Sequence, residues 1–393
     1  MKNKNAVLKI LAELCRLLIG VVFIFSGFVK AVDPMGGAIK IGEYLASFGL
    51  DMLQPFTVLL SFNLSAIEFA LGVCMLLGVY RRYVSFLILI FMAFMTPLTL
   101  YLALFDPVSD CGCFGDALVI SNWETFFKNI VLSLAAIVTF IYNQRLFQCF
   151  TFRAYWFVAL YAYLFGVGFA YYNYNHLPVI DFRPYKIGAN IPKLMEMPEE
   201  APQDEYKYTF VYEKDGVKKE FSLEDYPAND SSWTFVDSKT ELVKKGYQPP
   251  VAAFNIYNGK GDDVTEEIIG NPGPVLLLVA PKLEEADDEQ MDEINGVYDY
   301  ALEHDIPFYC VTGSSPEAID TWSDNTGAEY PFRMADEVLL KTIIRSNPGL
   351  VLLKGGTILG KWHYNDIPAE EEVKAVMDLS LIHISEPTRH AQI

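Results

Sequence analysis

The sequence predicts a membrane α-helical bundle followed by an exported α/β domain. Three observations predict this. Five mostly apolar stretches, each about the 20 residues that a helix needs to cross a bilayer core, crowd the first 180 positions. Charge is divided between the halves: residues 1–180 carry 11 of the 30 Lys/Arg and 9 of the 49 Asp/Glu, or +2, and the rest carries 19 and 40, or −21. Beyond residue 250, short apolar runs alternate with amphipathic segments, the pattern of buried strands and covering helices. A single soluble domain is excluded by this division. Nucleic-acid binding is disfavoured, because no basic stripe offsets the acidic half.

The five predicted spans are Ile10–Val29, Val58–Val79, Tyr83–Phe105, Phe126–Tyr142 and Ala154–Tyr172. The first is no cleavable signal peptide, since no small-residue cleavage site follows it. Lys2, Lys4 and Lys9, then Arg81 and Arg82, then Arg145 and Arg153 all fall on one side of a five-span zigzag. The excess of basic residues marks that side as cytoplasmic. The 31–57 loop, the 106–125 loop and everything after about residue 175 then face the exported side. The expected setting is a bacterial inner membrane with a cytoplasmic N-terminus and a periplasmic C-terminal domain. Glu68 stands mid-way along the second span. A carboxyl there is costly and faces a protein interior or a water-filled cavity. It reads equally as a proton or ligand site and as a packing residue hydrogen-bonded to Asn63, Ser65 or a neighbouring span.

The connector, residues 177–250, enters through a Pro-rich stretch. Tyr206–Tyr212 and Val217–Leu223 flank Asp215-Gly216 and read as a β-hairpin, with Trp233–Val236 as a further strand. From 251 onward the expected order is a strand Val251–Tyr257, a buried strand Val275–Ala280 and an acidic helix Glu284–Glu303. A strand Pro307–Val311, a helix Pro316–Thr326 capped by Ser314 or Ser315, and a closing hairpin Leu350–Leu353/Ile358–Trp362 follow. That layout resembles a thioredoxin/peroxiredoxin-type domain over 251–378, with Asn347-Pro348 where that fold carries its cis-proline. The resemblance also implies a Cys-x-x-Cys after the first central strand. Here the position reads Ala280-Pro281-Lys282-Leu283-Glu284-Glu285. The domain is therefore expected to bind or position a client without thiol chemistry of its own. Cys310, inside an apolar strand, reads as an inert buried thiol. Leu379–Arg389 resembles the translation of a sequencing adapter, so 379–393 is expected to be non-native and its His383 and His390 without function.

Chemistry concentrates in Asp110-Cys111-Gly112-Cys113-Phe114-Gly115-Asp116. By the predicted topology this loop faces the oxidising compartment. Two cysteines one residue apart close a tight ring, and a strained disulfide is readily reduced. Gly112 relieves part of the crowding, and the flanking carboxylates would raise both thiol pKa values. Three readings stand for Cys111 and Cys113: a redox pair, a structural loop lock, or a soft-metal site. No histidine precedes His176, so the membrane half offers no imidazole to a zinc site or a haem.

The membrane half resembles a known group. Arg16-Leu17-Leu18-Ile19-Gly20, Phe25-Ser26-Gly27-Phe28-Val29-Lys30, Asp33-Pro34, Glu68-Phe69-Ala70-Leu71-Gly72, Leu77-Gly78 and Arg81-Arg82 look like the DoxX family. The Cys-Gly-Cys-Phe-Gly-Asp loop is similar to its MauE branch, the methylamine-utilisation proteins. The resemblance covers about residues 8–145. It implies a four-span core (1–150) to which the fifth span (151–176) is an addition. It also implies quinone-linked sulfur oxidation, or maturation of a disulfide-rich exported protein. The functional expectation is a membrane thiol–disulfide or maturation factor. Cys111 and Cys113 exchange with exported thiol-containing clients or thiol carriers, and a quinone is the candidate acceptor; no other cofactor is evident. Two alternatives are a non-enzymatic anchor presenting an acidic binding domain, and a quinone-linked oxidoreductase subunit using Glu68.

Overall fold

The computed structural model describes residues 2–108, 111–198 and 249–384, and between them 201–202, 205–214, 216–222, 225, 232–244 and 246–247. The first half is a helical bundle: α1 (Lys2–Val32), α2 (Pro34–Ser47), α3 (Thr57–Leu77), α4 (Arg81–Phe105), α5 (Asn122–Ile141) and α6 (Tyr155–Asn175). Among the described residues, four helical segments, Asp51–Leu77, Arg81–Phe105, Asn122–Ile141 and Phe152–Asn175, are long and apolar enough to cross a membrane. The remaining predicted span, Ile10–Val29, lies inside α1, which is not among these four.

Glycine sets the packing of α1 on α3. A Cβ on Gly27 would stand 2.6 Å from the Ser65 carbonyl oxygen, and one on Gly72 would stand 2.6 Å from the Ile24 nitrogen. No other residue permits backbones this close. Local signals fix the helix ends. Gly78 closes α3 at φ +66°, and the Val79 amide reaches back to the Cys74 carbonyl at 2.8 Å, a left-handed C-cap. Ser121 and Glu124 form a reciprocal capping box at the start of α5. The stretch predicted as a 31–57 loop is instead mostly α2. Asp33 caps it by accepting from the Gly36 amide at 2.8 Å, and Pro34 sits in its first turn.

The second half begins with α7 (Ile191–Met195) and an antiparallel sheet of β1 (Glu205–Lys214), β2 (Val217–Ser222) and β3 (Thr234–Lys244), ordered β2-β1-β3. The predicted hairpin is present. Its Asp215 lies outside the described residues, and Gly216 takes φ +80°. The third strand runs well beyond the predicted Trp233–Val236. The α/β domain follows as α8 (Thr265–Ile269), β4 (Pro274–Ala280), α9 (Met291–Glu303), β5 (Phe308–Thr312), α10 (Pro316–Thr326), β6 (Phe332–Met334), α11 (Glu337–Ile343), β7 (Gly349–Lys354), β8 (Thr357–His363) and α12 (Glu370–Ile384). Its sheet order is β6-β5-β4-β7-β8, with β4, β5 and β6 parallel and β7 and β8 antiparallel. The Asn347–Pro348 bond is cis. This is the thioredoxin-like arrangement.

Strand β4 shows why its sequence is wholly apolar. Val275, Leu277 and Val279 pack one face with Phe254 and Ile343; Leu276, Leu278 and Ala280 pack the other with Ile294 and Trp322. Ser315 caps α10 by accepting from the Ala318 amide.

Two predicted elements change. Val251–Tyr257 is not a strand: among the described residues Tyr257 makes only isolated bridges, to Asp263 and to Met334 at the end of the short β6. The predicted helix Glu284–Glu303 begins only at Met291. Before it, the Asp287 amide bonds the Asn347 carbonyl at 2.9 Å and the Asp287 carboxylate takes the Glu289 amide at 3.0 Å. Short acidic side chains here compete with the helix for its own amides. Of the predicted non-native tail, 379–384 continue the α12 backbone and 385–393 lie outside the described residues.

The thioredoxin-like domain rests on one end of the bundle. Arg345, just ahead of the cis-proline, grips Asp33 at 2.9–3.0 Å and approaches Asp116 at 3.6 Å. Asn365 donates to the Asn175 carbonyl at 2.8 Å, and the His176 ring meets Asp366 at 2.8 Å. At the opposite end, Arg81 donates to the Leu146 carbonyl and the Cys149 amide donates to the Leu77 carbonyl. The clusters around residues 78–82 and 142–153 therefore share an end away from the domain.

Candidate functional site

The segment between α4 and α5 carries Cys111 and Cys113 at the bundle end beneath the α/β domain. Asp110 lies outside the described residues. Gly112 (φ +63°) and Gly115 (φ +50°) turn the loop sharply, and the Gly115 amide bonds the Gly112 carbonyl at 3.2 Å. A side chain at Gly112 would be strained by its φ and would press on the Lys40 stem. Side-chain contacts fix the loop to the bundle. Tyr44 donates its hydroxyl to the Cys111 carbonyl at 2.8 Å. The Ser26 hydroxyl lies 2.7 Å from the Cys113 carbonyl. Phe114 packs on Phe25, ring centres 5.3 Å apart, and the Lys128 ammonium sits 4.2 Å from the Phe114 ring centre.

The two sulfurs lie 2.8 Å apart as a dithiol. Cys111 is buried and Cys113 partly exposed. Their acidities are split. Cys113 is pushed down to about 6, first by the hydrogen bond from Cys111, then by the Lys128 and Lys30 charges, against burial and the Glu68 carboxylate. Cys111 is pushed far above the ordinary thiol range by that same bond and by burial. For Cys113 this reverses the direction expected from the flanking carboxylates.

Glu68 is 3 % exposed and meets a cation that hydropathy reading passed over. Its oxygens each lie 2.7 Å from the Lys30 Nζ of α1, and Ser26 Oγ lies 2.7 Å away. The neighbouring span thus supplies the partners. Asn63 donates instead to the Leu59 carbonyl and accepts from Tyr163, and Ser65 donates to the Phe62 carbonyl. Lys30 also donates to Ser26 Oγ at 3.0 Å. The Ser26 hydroxyl then has one proton and two acceptors, the Glu68 carboxylate and the Cys113 carbonyl. Ser26 and Lys30 fall at i and i+4 on α1, a spacing that would have placed them on one face with Glu68 opposite.

Cys113 faces a crevice of about 30 Å³, room for a single water, between α1, α3, α4 and α5. A second cavity of about 270 Å³ lies on the other side of the loop, bounded by Gly112, Asp116, Lys40, Arg183 and Arg345. A third, about 570 Å³, opens at the cis-proline beside Lys282, Asn347 and Tyr174. In thioredoxins that face carries thiols; here Asn347 donates to the Lys282 carbonyl at 2.8 Å and Lys282 pairs with Glu285. Cys310 is fully buried in β5, and burial pushes its thiol up. Among the described residues no group of three His, Cys, Asp or Glu converges as a metal site.

Residues 8–142, about a third of the chain, match the family model described as methylamine utilisation protein MauE. Residues 206–245 match a domain of unknown function (DUF8463). No curated protein matches the chain. A solution structure from Bacteroides thetaiotaomicron, named there as a candidate protein disulfide isomerase, is 18% identical, with 32% of this chain and 83% of that one covered and a TM-score of 0.26. With its apolar helices, the chain is a multi-pass membrane protein with a MauE-like membrane region.

Proposed function

We propose that this protein is a membrane thiol–disulfide exchange or maturation factor in which Cys111 and Cys113 cycle between dithiol and disulfide. The observation that carries the reading is the paired thiols, 2.8 Å apart, with acidities pushed in opposite directions. In the oxidised form a client thiolate attacks one loop sulfur and displaces the other as thiolate, giving a mixed disulfide. The second client thiolate then attacks the client sulfur of that mixed disulfide and expels the remaining loop sulfur as thiolate; the client is left oxidised, and the loop takes up the two protons the client thiols gave up and becomes a dithiol. Two electrons and two protons must then leave the loop for an acceptor, proposed here as a quinone or the disulfide of a thiol carrier. The proposed setting is a bacterial inner membrane with the loop and the α/β domain exported. The shared end of the basic clusters, away from that domain, supports this orientation. The thioredoxin-like domain, without thiols on its cis-proline face, would hold the client.

Serine in place of both cysteines should abolish client oxidation in cells, read by gel-shift of client thiols. Unchanged client disulfides would refute the proposal. One observation favours a second reading, that of a non-enzymatic anchor: the α/β domain lacks Cys-x-x-Cys at the position its fold would place it. On that reading the Ser variants only lower stability, while removal of about 180–378 abolishes function. A proton role for Glu68 in a quinone-linked subunit is the least supported, because the carboxylate is held by Lys30. Retained turnover in Glu68→Gln would exclude it.

A further inference from the structure

The inference concerns how one cysteine of the pair becomes the nucleophile, and it rests on the proposed thiol exchange. Lys128 stands near the start of α5, a helix otherwise apolar enough to cross a membrane. An ammonium there is costly unless an anion or water meets it. Yet Lys128 has no carboxylate partner among the described residues. Its Nζ sits over the Phe114 ring at 4.2 Å, and it lines the same narrow crevice as Cys113, walled by Phe23, Phe91, Met95 and Leu132. Lys30, the other cation of that crevice, is already neutralised by Glu68 at 2.7 Å. The crevice therefore holds one lysine without a counter-charge and one thiol.

We infer that Lys128 is the counter-ion of the Cys113 thiolate, so that Cys113 is the sulfur displaced when a client thiolate attacks Cys111, and the sulfur that attacks the acceptor when the dithiol is reoxidised, with Cys111 resolving that step. The groups facing Cys113 are consistent with this. α1 brings Ser26 and Lys30, α3 brings Glu68, α5 brings Lys128, and its own loop brings Cys111. α4 brings Phe91, Met92 and Met95, none of which titrates. With the Lys30–Glu68 pair formed, the net positive charge in the crevice is that of Lys128. Its field acts across an apolar, nearly dry space, where a charge is poorly screened. The Cys111 thiol adds a hydrogen bond, and the remaining proton sits on Cys111. Lys128 is thus a positioning residue, acting on the nucleophile and not on the client.

The test is the pH profile of alkylation in the full-length, reduced protein in lipid nanodiscs. Iodoacetamide is the probe, and fragmentation mass spectrometry assigns the label to Cys113 or Cys111. In the parent protein, labelling falls first on Cys113, with a half-maximal pH below the ordinary thiol range. Lys128→Met should raise that half-maximal pH by about one unit or more. Lys128→Arg, which keeps the charge, should stay close to the parent. Superimposable profiles for parent and Lys128→Met would overturn the inference. So would an Arg variant shifted as far as Met, since the stem and not the charge would then matter, or first labelling on Cys111. Should Lys128→Met fail to assemble, Lys128→Gln gives the same comparison. No client or acceptor enters this assay. Unchanged client disulfides in the double-Ser variant, with the alkylation profiles as expected, would therefore sink the proposed function alone.

Discussion

Replacing Arg345 with alanine removes the ion pair that fastens the thioredoxin-like domain to the bundle. The guanidinium and Asp33 are 10% and 15% exposed, and three contacts of 2.9–3.0 Å join them. The second partner, Asp116, is 3.6 Å away and 46% exposed, so it adds little. Removing one member of a buried pair costs about 3–5 kcal/mol, because the other is left uncompensated. Both groups keep some contact with water, so the lower end, about 3 kcal/mol, is the working figure. At about 1.4 kcal/mol per decade, that opens the interface on the order of 100-fold more often. Hydrogen exchange of the first-turn amides of α2 and of residues 344–347 reads this opening directly. A double variant, Arg345→Met with Asp33→Asn, should recover most of the protection, since no buried charge remains. The pH dependence has a definite sign. Burial pushes the Asp33 carboxyl up, but Arg345 outweighs it and holds the native pKa below the usual carboxylate range. The clamp therefore contributes fully above about pH 4 and is lost as pH falls through the lowered native value. Unchanged exchange in Arg345→Ala, or a double variant no better than the single, would refute this account.

Three further outcomes follow from the same geometry. Glu68→Gln leaves Lys30 buried beside a neutral amide and should destabilise the bundle by about 3 kcal/mol or more, seen as a lower unfolding temperature in nanodiscs. Equal stability would mean that Lys30 finds another partner. Gly27→Ala forces a methyl against the Ser65 carbonyl and should cost at least about 1–3 kcal/mol by overpacking, read by size-exclusion monodispersity and thermal unfolding. His363 is pushed down to about 4, first by burial. Unfolded His titrates near 6.5, so this ring contributes stability above that pH and loses it progressively as pH falls toward 4. His363→Gln should flatten the acid limb of a stability–pH curve for the α/β domain.

The sequence made the spans and the α/β core readable for a simple reason: burial on all sides leaves a run such as Val275–Ala280 with no polar face. It also showed Cys111, Cys113 and Glu68 as residues out of place. What it hid were relations. Arg345 and Asp33 are 312 positions apart, and nothing in either neighbourhood predicts their meeting. The partners of Glu68 were visible as letters in α1, but choosing Lys30 over Asn63 or Ser65 required the crossing of two helices. The acidity of Cys113 was misjudged because only the flanking carboxylates were weighed: the hydrogen bond from Cys111 acts first, and the Lys128 and Lys30 charges arrive through space. The helix start at Met291 failed on local competition: Asp287 takes an amide that helical periodicity would assign to the helix.

The glycine contact between α1 and α3 has a mechanical consequence. Ser26 and Lys30 ride on one backbone and Glu68 on the other, and the two backbones touch with no side chain between them. Neither helix can roll without collision, so the charged trio is a fixed terminal. The thiols belong to a loop bent by Gly112 and Gly115, which take positive φ values that other residues rarely adopt. On the proposed exchange, rearrangement then falls to the loop and not to the helices, and the loop's contacts to Ser26 and Tyr44 are the ones that must yield. Changes that loosen the helices and changes that stiffen the loop should both stop turnover, the first by displacing the terminal and the second by freezing those contacts.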